Sequence, residues 1–289
     1  MSTAVREVRL PRVMPAEQAT ELVGLPAEDM EPTSISPGTL VRDADTNAPV
    51  VLYVPLDNPA PLRRAMLSVP QSTVKRQRNY TSRSRTFGYA PRRPVMGRES
   101  CGLTSLTKEL PEVARLLESY ADQFSDVLTA VLPDVAEANK EVVGGVLPEW
   151  RMGTSHTWTS GVINDTAQLP YHRDGFNFPV WSAMPVLRRG TRGGYLHIPE
   201  YGIAAPCSDA TVTYFEGFKL VHGVTPITYV GGAPGRDKGY RVSVVYYALR
   251  GMKNCRDAAE ETAYGRERRT ERERDMASRL AAGDRSIPT

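Results

Sequence analysis

Cysteine is scarce in this chain, and its spacing argues against two classes of site. The 289 residues include three cysteines, and no two of them form a Cys-x-x-Cys pair. An odd, sparse set is typical of reduced thiols and argues against a disulfide framework or a cysteine-built zinc site. We therefore expect Cys101, Cys207 and Cys255 to be reduced thiols of a cytoplasmic protein.

Long apolar runs and a strong charge of one sign are also absent. The longest runs, such as Pro49 to Leu56, are far shorter than the ~20 residues that a membrane helix needs. The segment from Met1 to Glu7 lacks the apolar core of a signal peptide. The net charge of +3 and the 40% hydrophobic content are those of an ordinary globular chain. We expect no membrane span, no export and a cytoplasmic location, and no obligate protein partner is evident.

Composition divides the chain into three parts. Residues 1–48 are rich in Pro, Ala, Thr and Glu without clear periodicity, which predicts a loosely structured arm with a short helix near residues 16–23. Residues 49–255 hold the periodic segments, and we expect them to form one folded domain. Residues 256–289 place Glu and Arg at neighbouring helical positions, which predicts an exposed charged helical tail.

The central part is predicted to join helices to a β-rich half. Apolar residues recur at intervals of three and four from Pro111 to Leu132, which predicts a helix (residues 111–132) that supports a sheet. Further along, short β-like runs separated by Gly and Pro are typical of an antiparallel sandwich or jelly roll, and hence of an α+β fold. The predicted strands are residues 49–56, 180–187, 195–198, 210–215, 220–224 and 241–248.

The segment from Lys75 to Arg98 (75–98) is strongly basic. It has eight Lys and Arg residues and no acid, with Tyr80, Phe87 and Tyr89 interleaved. Basic groups neutralise phosphates and aromatic rings stack on bases, so a nucleic-acid contact segment is one interpretation. A solvated surface loop is the other. The candidate phosphate contacts are Arg83, Arg85, Arg92 and Arg93.

Two of the four histidines and one aspartate have the spacing of a metal site. His172 and Asp174 project to the same side of an extended segment, and His222 could complete the set from a facing sheet. Two histidines and one carboxylate on one face of an octahedron leave three positions open, as in non-haem Fe(II) oxygenases. A zinc hydrolase uses the same groups, and single histidines are often ordinary surface residues, so both of these interpretations stay open.

An arginine on a predicted strand favours the oxygenase interpretation. On residues 241–248, Arg241 and Ser243 share one face with Tyr247, while Val242 and Val244 share the other. A buried cation is costly unless it is paired, and a guanidinium matches a carboxylate in bidentate fashion. The distal carboxylate of 2-oxoglutarate is the ligand that fits this pair, and a structural ion pair is the competing interpretation.

Four motifs in order resemble one family of enzymes. HRDGFN, GGYLHIPEYG, LVHGVTPI and RVSVVYY are similar to the core of the TET/J-binding-protein group of Fe(II)/2-oxoglutarate dioxygenases. Weaker similarity in SRTFGYA, VLPDVAEAN and SGVIN extends the resemblance over roughly Arg83 to Tyr247. The resemblance implies a double-stranded β-helix (jelly roll) core with packed helices. It also makes residues 49–255 a dioxygenase domain of a minimal phage- or bacterial-type TET homologue.

The resemblance assigns roles residue by residue. His172, Asp174 and His222 would bind Fe(II), and Arg241, Ser243 and His197 would hold 2-oxoglutarate, with O₂ as the second cosubstrate. Asn177 would read the edge of the target base, and Tyr247 would pack beside it. The implied reaction is hydroxylation of the 5-methyl group of 5-methylcytosine in DNA to 5-hydroxymethylcytosine, on a target nucleotide flipped out of the duplex. Further oxidation of this product is left open.

Three departures from the family pattern leave the substrate open. The three cysteines cannot build the cysteine-rich zinc subdomain of animal TET enzymes. Leu249 stands where the family has a base-contacting histidine, so thymine in DNA is a competing target. A second 2-oxoglutarate-binding arginine cannot be placed, and Arg151, Arg83 and Arg85 are its candidates. Two further functions stay open, a 2-oxoglutarate hydroxylase of small molecules or peptides and a catalytically silent DNA-binding or cupin-like module.

Overall fold

A large β-sheet forms the centre of the structure, which is a computed structural model describing residues 5–75, 81–231 and 239–282. The strands are β1 (Arg6–Leu10), β2 (Thr39–Asp43), β3 (Pro49–Pro55), β4 (Ser72–Lys75), β5 (Thr81–Ala90), β6 (Gly102–Leu103), β7 (Ser160–Asp165), β8 (Ser182–Arg189), β9 (Thr191–Gly193), β10 (Leu196–Ile198), β11 (Ile203–Ala205), β12 (Thr211–Phe215), β13 (Gly223–Val224), β14 (Ile227–Tyr229) and β15 (Tyr240–Tyr247). The helices are α1 (Ala16–Glu21), α2 (Pro59–Ser68), α3 (Ser105–Glu109), α4 (Pro111–Val131), α5 (Pro133–Val143) and α6 (Ala258–Ala281).

The strand order is that of a jelly roll. The main sheet runs β1-β2-β3-β12-β8-β15-β7-β5-β4, with β6 paired to β5, and two smaller sheets run β11-β10-β13 and β14-β9. The β1–β2 pair is parallel, and the β8, β12 and β15 pairs at the centre are antiparallel. Sequence-distant strands are therefore neighbours, and the main sheet and the β11-β10-β13 sheet enclose the site described below. The predicted α+β jelly-roll class is confirmed.

The two faces of β15 point into different cores, as the alternation predicts. Val242, Val244 and Tyr246 belong to a core that the helices cover, and the Tyr246 ring lies 5.3 Å from the Phe124 ring on α4. On the other face, Val245 packs against the core shared by β8, β10 and β11. Helix α4 thus supports the sheet from outside and leaves the interior of the roll for Arg241 and the groups around it.

The N-terminal residues are more ordered than the sequence predicts. Strand β1 pairs with β2, and β2 pairs with β3, so both extend the main sheet. Leu40 and Val41 of β2 are buried. A five-residue strand carries too short a pattern to stand out in a segment rich in Pro and Thr, and the sheet that stabilises it is formed by residues far along the chain.

The prediction of three reduced thiols is wrong for two of the cysteines. Cys101 and Cys255 form a disulfide with a Cα–Cα distance of 5.8 Å across 154 residues of sequence, while Cys207 is free and buried. The disulfide lies where α6 begins. The buried carboxylate of Glu261 on α6 accepts the Cys101 amide at 2.7 Å and the Arg256 amide at 2.9 Å. Sequence spacing could not reveal this pair because only the tertiary fold brings the two residues together.

The helices carry no membrane-spanning pattern. Within the described ranges, none of them combines enough length with enough apolar character to cross a bilayer. The longest, α6, is rich in Arg and Glu.

We predict that the disulfide contributes about 2–5 kcal/mol to the free energy of unfolding, because it closes a long loop in the unfolded chain. Chemical denaturation with and without reductant measures this contribution. Reductant should leave the Cys101→Ala variant unchanged, and thiol titration of the denatured wild type should find a single free thiol. Three titratable thiols without reductant would contradict the disulfide.

Candidate metal centre

Three side chains converge at one end of the jelly roll. The Nε2 atom of His172 lies 3.8 Å from Oδ1 of Asp174, and the Nε2 atom of His222 lies 3.9 Å from Oδ2 of the same carboxylate. One possible ligand atom from each residue lies within 4.8 Å of the others. The predicted set of His172, Asp174 and His222 is therefore assembled in space, with two imidazoles and one carboxylate facing a common point.

Both imidazoles are held in the tautomer that a metal needs. The Nδ1–H of His172 donates to the Pro170 carbonyl at 2.8 Å, and the Nδ1–H of His222 donates to the Leu220 carbonyl at 3.0 Å. Each bond leaves the Nε2 lone pair free on the side of Asp174. Burial, with His172 nearby, lowers the pKa of His222 to about 4, so this ligand is neutral at pH 7.

Backbone hydrogen bonds set the spacing of the ligands. The His172 amide donates to the His222 carbonyl at 2.8 Å, and the His222 amide donates back at 2.9 Å. The Asp174 amide donates to the Gly217 carbonyl at 2.9 Å. These bonds join the HRDGFN segment to the loop between β12 and β13, although the two segments are far apart in sequence.

Gly217 leaves space for the carboxylate. A Cβ at this position would lie 2.4 Å from Oδ2 of Asp174 and 3.2 Å from Cε1 of His222. Any side chain would therefore displace the ligands. The sequence contains this glycine in FEGFK, but nothing in that motif indicates contact with Asp174.

A buried carboxylate joins the two ligand segments. Glu200 lies 3.6 Å from the guanidinium of Arg173, the residue between His172 and Asp174. The same carboxylate accepts the Val221 amide at 3.0 Å, one residue before His222. Sequence reasoning missed Glu200 because its partners come from distant segments.

Arg241 is a buried cation with unused donors. Its side chain is fully buried, and Nη1 donates to Oγ of Ser243 at 3.5 Å, while Nε and Nη2 have no hydrogen-bond partner among the residues that the structure describes. Burial lowers the pKa of Arg241, but a guanidinium keeps its proton. A buried arginine with two unpaired nitrogens calls for an anion from outside the chain. This observation fits the carboxylate of 2-oxoglutarate.

The surroundings of Arg241 are tight. Gly194 passes so close that a Cβ there would lie 2.6 Å from Cδ of Arg241. The neighbouring Cys207 raises the pKa of Arg241, and the charge of Arg188 lowers it. Arg188 lies opposite Arg241 in the β8–β15 pair, and its guanidinium donates to the Thr191 carbonyl at 2.8 Å. It is a second cation near Arg241 that the sequence did not suggest.

His197 lies on β10, opposite Gly223 of β13, next to His222. The Tyr171 hydroxyl accepts the Glu28 amide at 3.1 Å and lies 2.5 Å from Nδ1 of His197. Burial lowers the pKa of His197, which favours the neutral ring. The contact with Tyr171 leaves Nε2 as the ring nitrogen that can face a bound acid.

The candidate base contacts lie on two segments, the turn after Asp174 and the end of β15. Asn177 is buried and bridges to Leu249, while Tyr247 lies two residues earlier on β15 and is half-buried. Phe176, which lies between Asp174 and Asn177 in the sequence and which the sequence interpretation did not use, is exposed. The fold therefore brings Asn177 and Leu249 together as neighbours.

The basic segment is partly neutralised by acids from elsewhere. Arg83 lies 3.1 Å from Asp165 and its side chain is 63% exposed, whereas the Arg85 side chain is 11% exposed and pairs with Glu109. Residues 76–80 of this segment, including Arg76, Arg78 and Tyr80, lie outside the described residues.

The other candidate arginines also have partners. Arg92 lies 3.6 Å from the carboxylate of Glu261, and Arg93 lies over the Phe176 ring at 5.8 Å. Arg151 donates to the carbonyls of Val146 and Gly144, so its guanidinium is held by backbone oxygens.

Comparisons with known proteins bear on the fold. No family model and no curated protein matches the chain. The solved structure of NgTET1 in complex with 5mC DNA superposes with a TM-score of 0.55 at 13% identity, covering 87% of this chain and 84% of that one. This chain shares the fold of NgTET1. OsALKBH1 (TM-score 0.38, 14% identity, 74% and 100% covered) and a full-length Neurospora crassa protein in complex with alpha-KG (0.32, 11%, 75% and 85%) also match, at a lower level of similarity. The identity to NgTET1 is low, so the substrate has to be argued from the site.

The donor set fits Fe(II). Two imidazoles whose Nε2 atoms face Asp174, together with its carboxylate, are the donor set of non-haem Fe(II) sites, and the buried Arg241 supplies a partner for an acidic cosubstrate. We predict that Gly217→Ala weakens Fe(II) or Co(II) affinity by about 10–100-fold, because a methyl group displaces Asp174. Calorimetric titration of the folded variant measures the loss.

Gly175→Ala is the matched control for this experiment. It lies beside Asp174 in the same turn, and a Cβ there meets no atom within 4 Å. This variant should bind metal like the wild type. Equal affinities for all three proteins would show that the space at Gly217 is not required.

Proposed function

We propose that the chain is an Fe(II)/2-oxoglutarate-dependent dioxygenase that hydroxylates the 5-methyl group of 5-methylcytosine in DNA. The observation that carries the proposal is the pairing of two features in one roll. Three metal ligands converge, with the Nε2 atoms of the two histidines facing Asp174, and the interior contains the buried Arg241, whose Nε and Nη2 have no partner within the described part of the chain. An Fe(II) site explains the ligands, and a dicarboxylic keto acid explains the arginine.

The chain's own residues position and shield the reactants. Fe(II) with 2-oxoglutarate and O₂ supplies, when bound, the oxidising power that cleaves a C–H bond. Arg241 and Ser243 would bind the distal carboxylate of 2-oxoglutarate, and His197 would donate from Nε2 to the same molecule. Because His222 and Arg241 are buried, they would shield the bound cosubstrate from water on their side of the site.

DNA as the substrate is supported by the fold and by the rim of the site. NgTET1, whose fold the chain shares, was solved with 5mC DNA. Phe176 and Arg93 lie at the same rim, and such pairs of ring and cation suit bases and phosphates. We further propose that the protein acts on DNA in the cytoplasm. Residues 49–255 would form its dioxygenase domain.

Asn177 is the proposed reader of the base edge, with Tyr247 packed beside the base. An amide both donates and accepts hydrogen bonds, so Asn177 can pair with cytosine or with thymine. Its neighbour Leu249 is apolar and adds no polar contact. We propose 5-methylcytosine as the target, and thymine is the competing base to be tested beside it.

A 2-oxoglutarate hydroxylase of small molecules is the second candidate. The observation that favours it is the ion pairing of Arg83 and Arg85, which reduces the charge available for phosphates. Arg92 and Arg93 remain as proposed DNA contacts under the first candidate. Succinate release that needs no DNA would identify the second.

The proposed reaction is tested by nucleoside mass spectrometry. DNA containing 5-methylcytosine, and unmethylated DNA, are incubated with protein, Fe(II) and 2-oxoglutarate. We predict 5-hydroxymethylcytosine from the first DNA and no product from Asp174→Ala, which lacks a metal ligand but should keep its DNA affinity. Product from Asp174→Ala would refute the metal site. Oxidation of thymine instead of 5-methylcytosine would show that thymine is the target base.

We predict that Arg241→Ala weakens 2-oxoglutarate binding by ~2–5 kcal/mol, because one partner of a buried charge pair is removed. Titration of 2-oxoglutarate into the metal-loaded protein measures the loss. The affinity for Co(II) alone is the control and should not change. Unchanged binding of 2-oxoglutarate would assign Arg241 a structural role.

A further inference from the structure

Phe176 is an exposed aromatic ring beside the metal centre. Its side chain is 69% exposed, although the next residue, Asn177, is buried. Two residues of extended chain span at most about 7 Å, so Phe176 lies close to the ligand Asp174. Single exposed apolar residues are common on protein surfaces. What distinguishes Phe176 is therefore how its backbone is held and which groups surround it.

The turn that carries Phe176 is fixed from both sides. The Asn177 amide donates to the Asp174 carbonyl at 2.9 Å, inside the turn. From outside, the Arg250 amide donates to the Phe176 carbonyl at 3.0 Å, and the Arg250 guanidinium donates to the Gly175 carbonyl. The ring is thus presented to solvent by a defined backbone rather than by a loose loop.

Cations accompany the aromatic rings at this rim. The guanidinium of Arg93 lies 5.8 Å from the centre of the Phe176 ring, and that of Arg250 lies 5.4 Å from the Phe218 ring. Lys219, beside Phe218, is exposed. Rings suit the stacked bases and cations suit the phosphates, so the rim complements duplex DNA in both respects.

We propose that Phe176 enters the base stack of duplex DNA and fills the space left by the extruded target nucleotide, while Arg93 and Arg250 contact nearby phosphates. The inference rests on the proposed function, because it needs DNA as the substrate. A methyl group inside an intact duplex cannot reach a recessed site that contains the buried His222. An apolar side chain inserted between base steps offsets part of the cost of opening them.

Three substrates isolate this role. They are a matched duplex with one 5-methylcytosine, the same duplex with a mismatch opposite the target, and the single strand. Fluorescence anisotropy with metal-free protein gives the affinity for each, and nucleoside mass spectrometry with Fe(II) and 2-oxoglutarate gives turnover. The variants are Phe176→Ala, Phe176→Trp, which keeps an aromatic ring, and the control Leu280→Ala on α6, which truncates another exposed apolar side chain.

We predict that Phe176→Ala lowers affinity and turnover on the matched duplex by about tenfold or more, the scale of one lost stacking contact. The loss should be smaller on the mismatched duplex, whose target is easier to extrude, and absent on the single strand. Phe176→Trp should restore the matched duplex, and Leu280→Ala should resemble the wild type on all three.

The outcomes that overturn this inference are separable from failure of the proposed function. An equal loss of affinity and turnover on all three substrates would show that Phe176 contacts the target base in the pocket. No loss on the matched duplex would show that Phe176 does not enter the base stack. A wild type that oxidises only single strands also overturns the inference. In each case oxidation of DNA stands. A wild type that neither binds nor oxidises any of the three refutes both proposals.

Discussion

The metal centre depends on a reciprocal pair of backbone hydrogen bonds between His172 and His222. This pair fixes two segments that are distant in sequence at the separation of neighbouring strands. The same local device then orients each ring, because each Nδ1–H donates to the carbonyl two residues earlier, at Pro170 and at Leu220. Ring orientation is thus set by the chain itself, before any ion binds, so metal binding requires little reorganisation.

The metal ligands and the buried Arg241 lie in different electrostatic environments. At one end of the roll, His172 and Asp174 are partly exposed, so solvent could reach a metal ion bound there. Deeper inside, Arg241 is buried, and no described residue provides a partner for its Nε or Nη2. A desolvated cation of this kind raises the free energy of the empty protein, and an anion that pairs with it lowers that free energy. The selectivity of the pocket for an acid follows from this difference.

The sequence predicted the parts of the site that depend on local pattern. Alternation along residues 241–248 separates Arg241 from Val242, and the two residues indeed face different cores. The apolar stripe of α4 and the His-x-Asp spacing are local in the same sense. The partners of the basic segment were not predictable, since Asp165 and Glu109 reach Arg83 and Arg85 only through tertiary contacts. A run of basic residues in the sequence gives the charge of a segment, but the fold determines how many of those side chains have acidic partners.

The charged tail is joined to the rim of the site by continuous contacts. Glu261 of α6 accepts the Cys101 amide and lies beside Arg92. The next residue, Arg93, exchanges two backbone hydrogen bonds with Arg98 and lies over Phe176.

The disulfide crosslinks both ends of this connection, because Cys101 follows the loop of residues 91–100 and Cys255 lies three residues before α6 begins. Rim arginines on an unsupported loop would lose conformational entropy on meeting DNA. A loop held by α6 and a covalent bond has already lost most of that entropy during folding. Under the proposed function, α6 would contribute to DNA recognition through the rigidity of the loop that it supports.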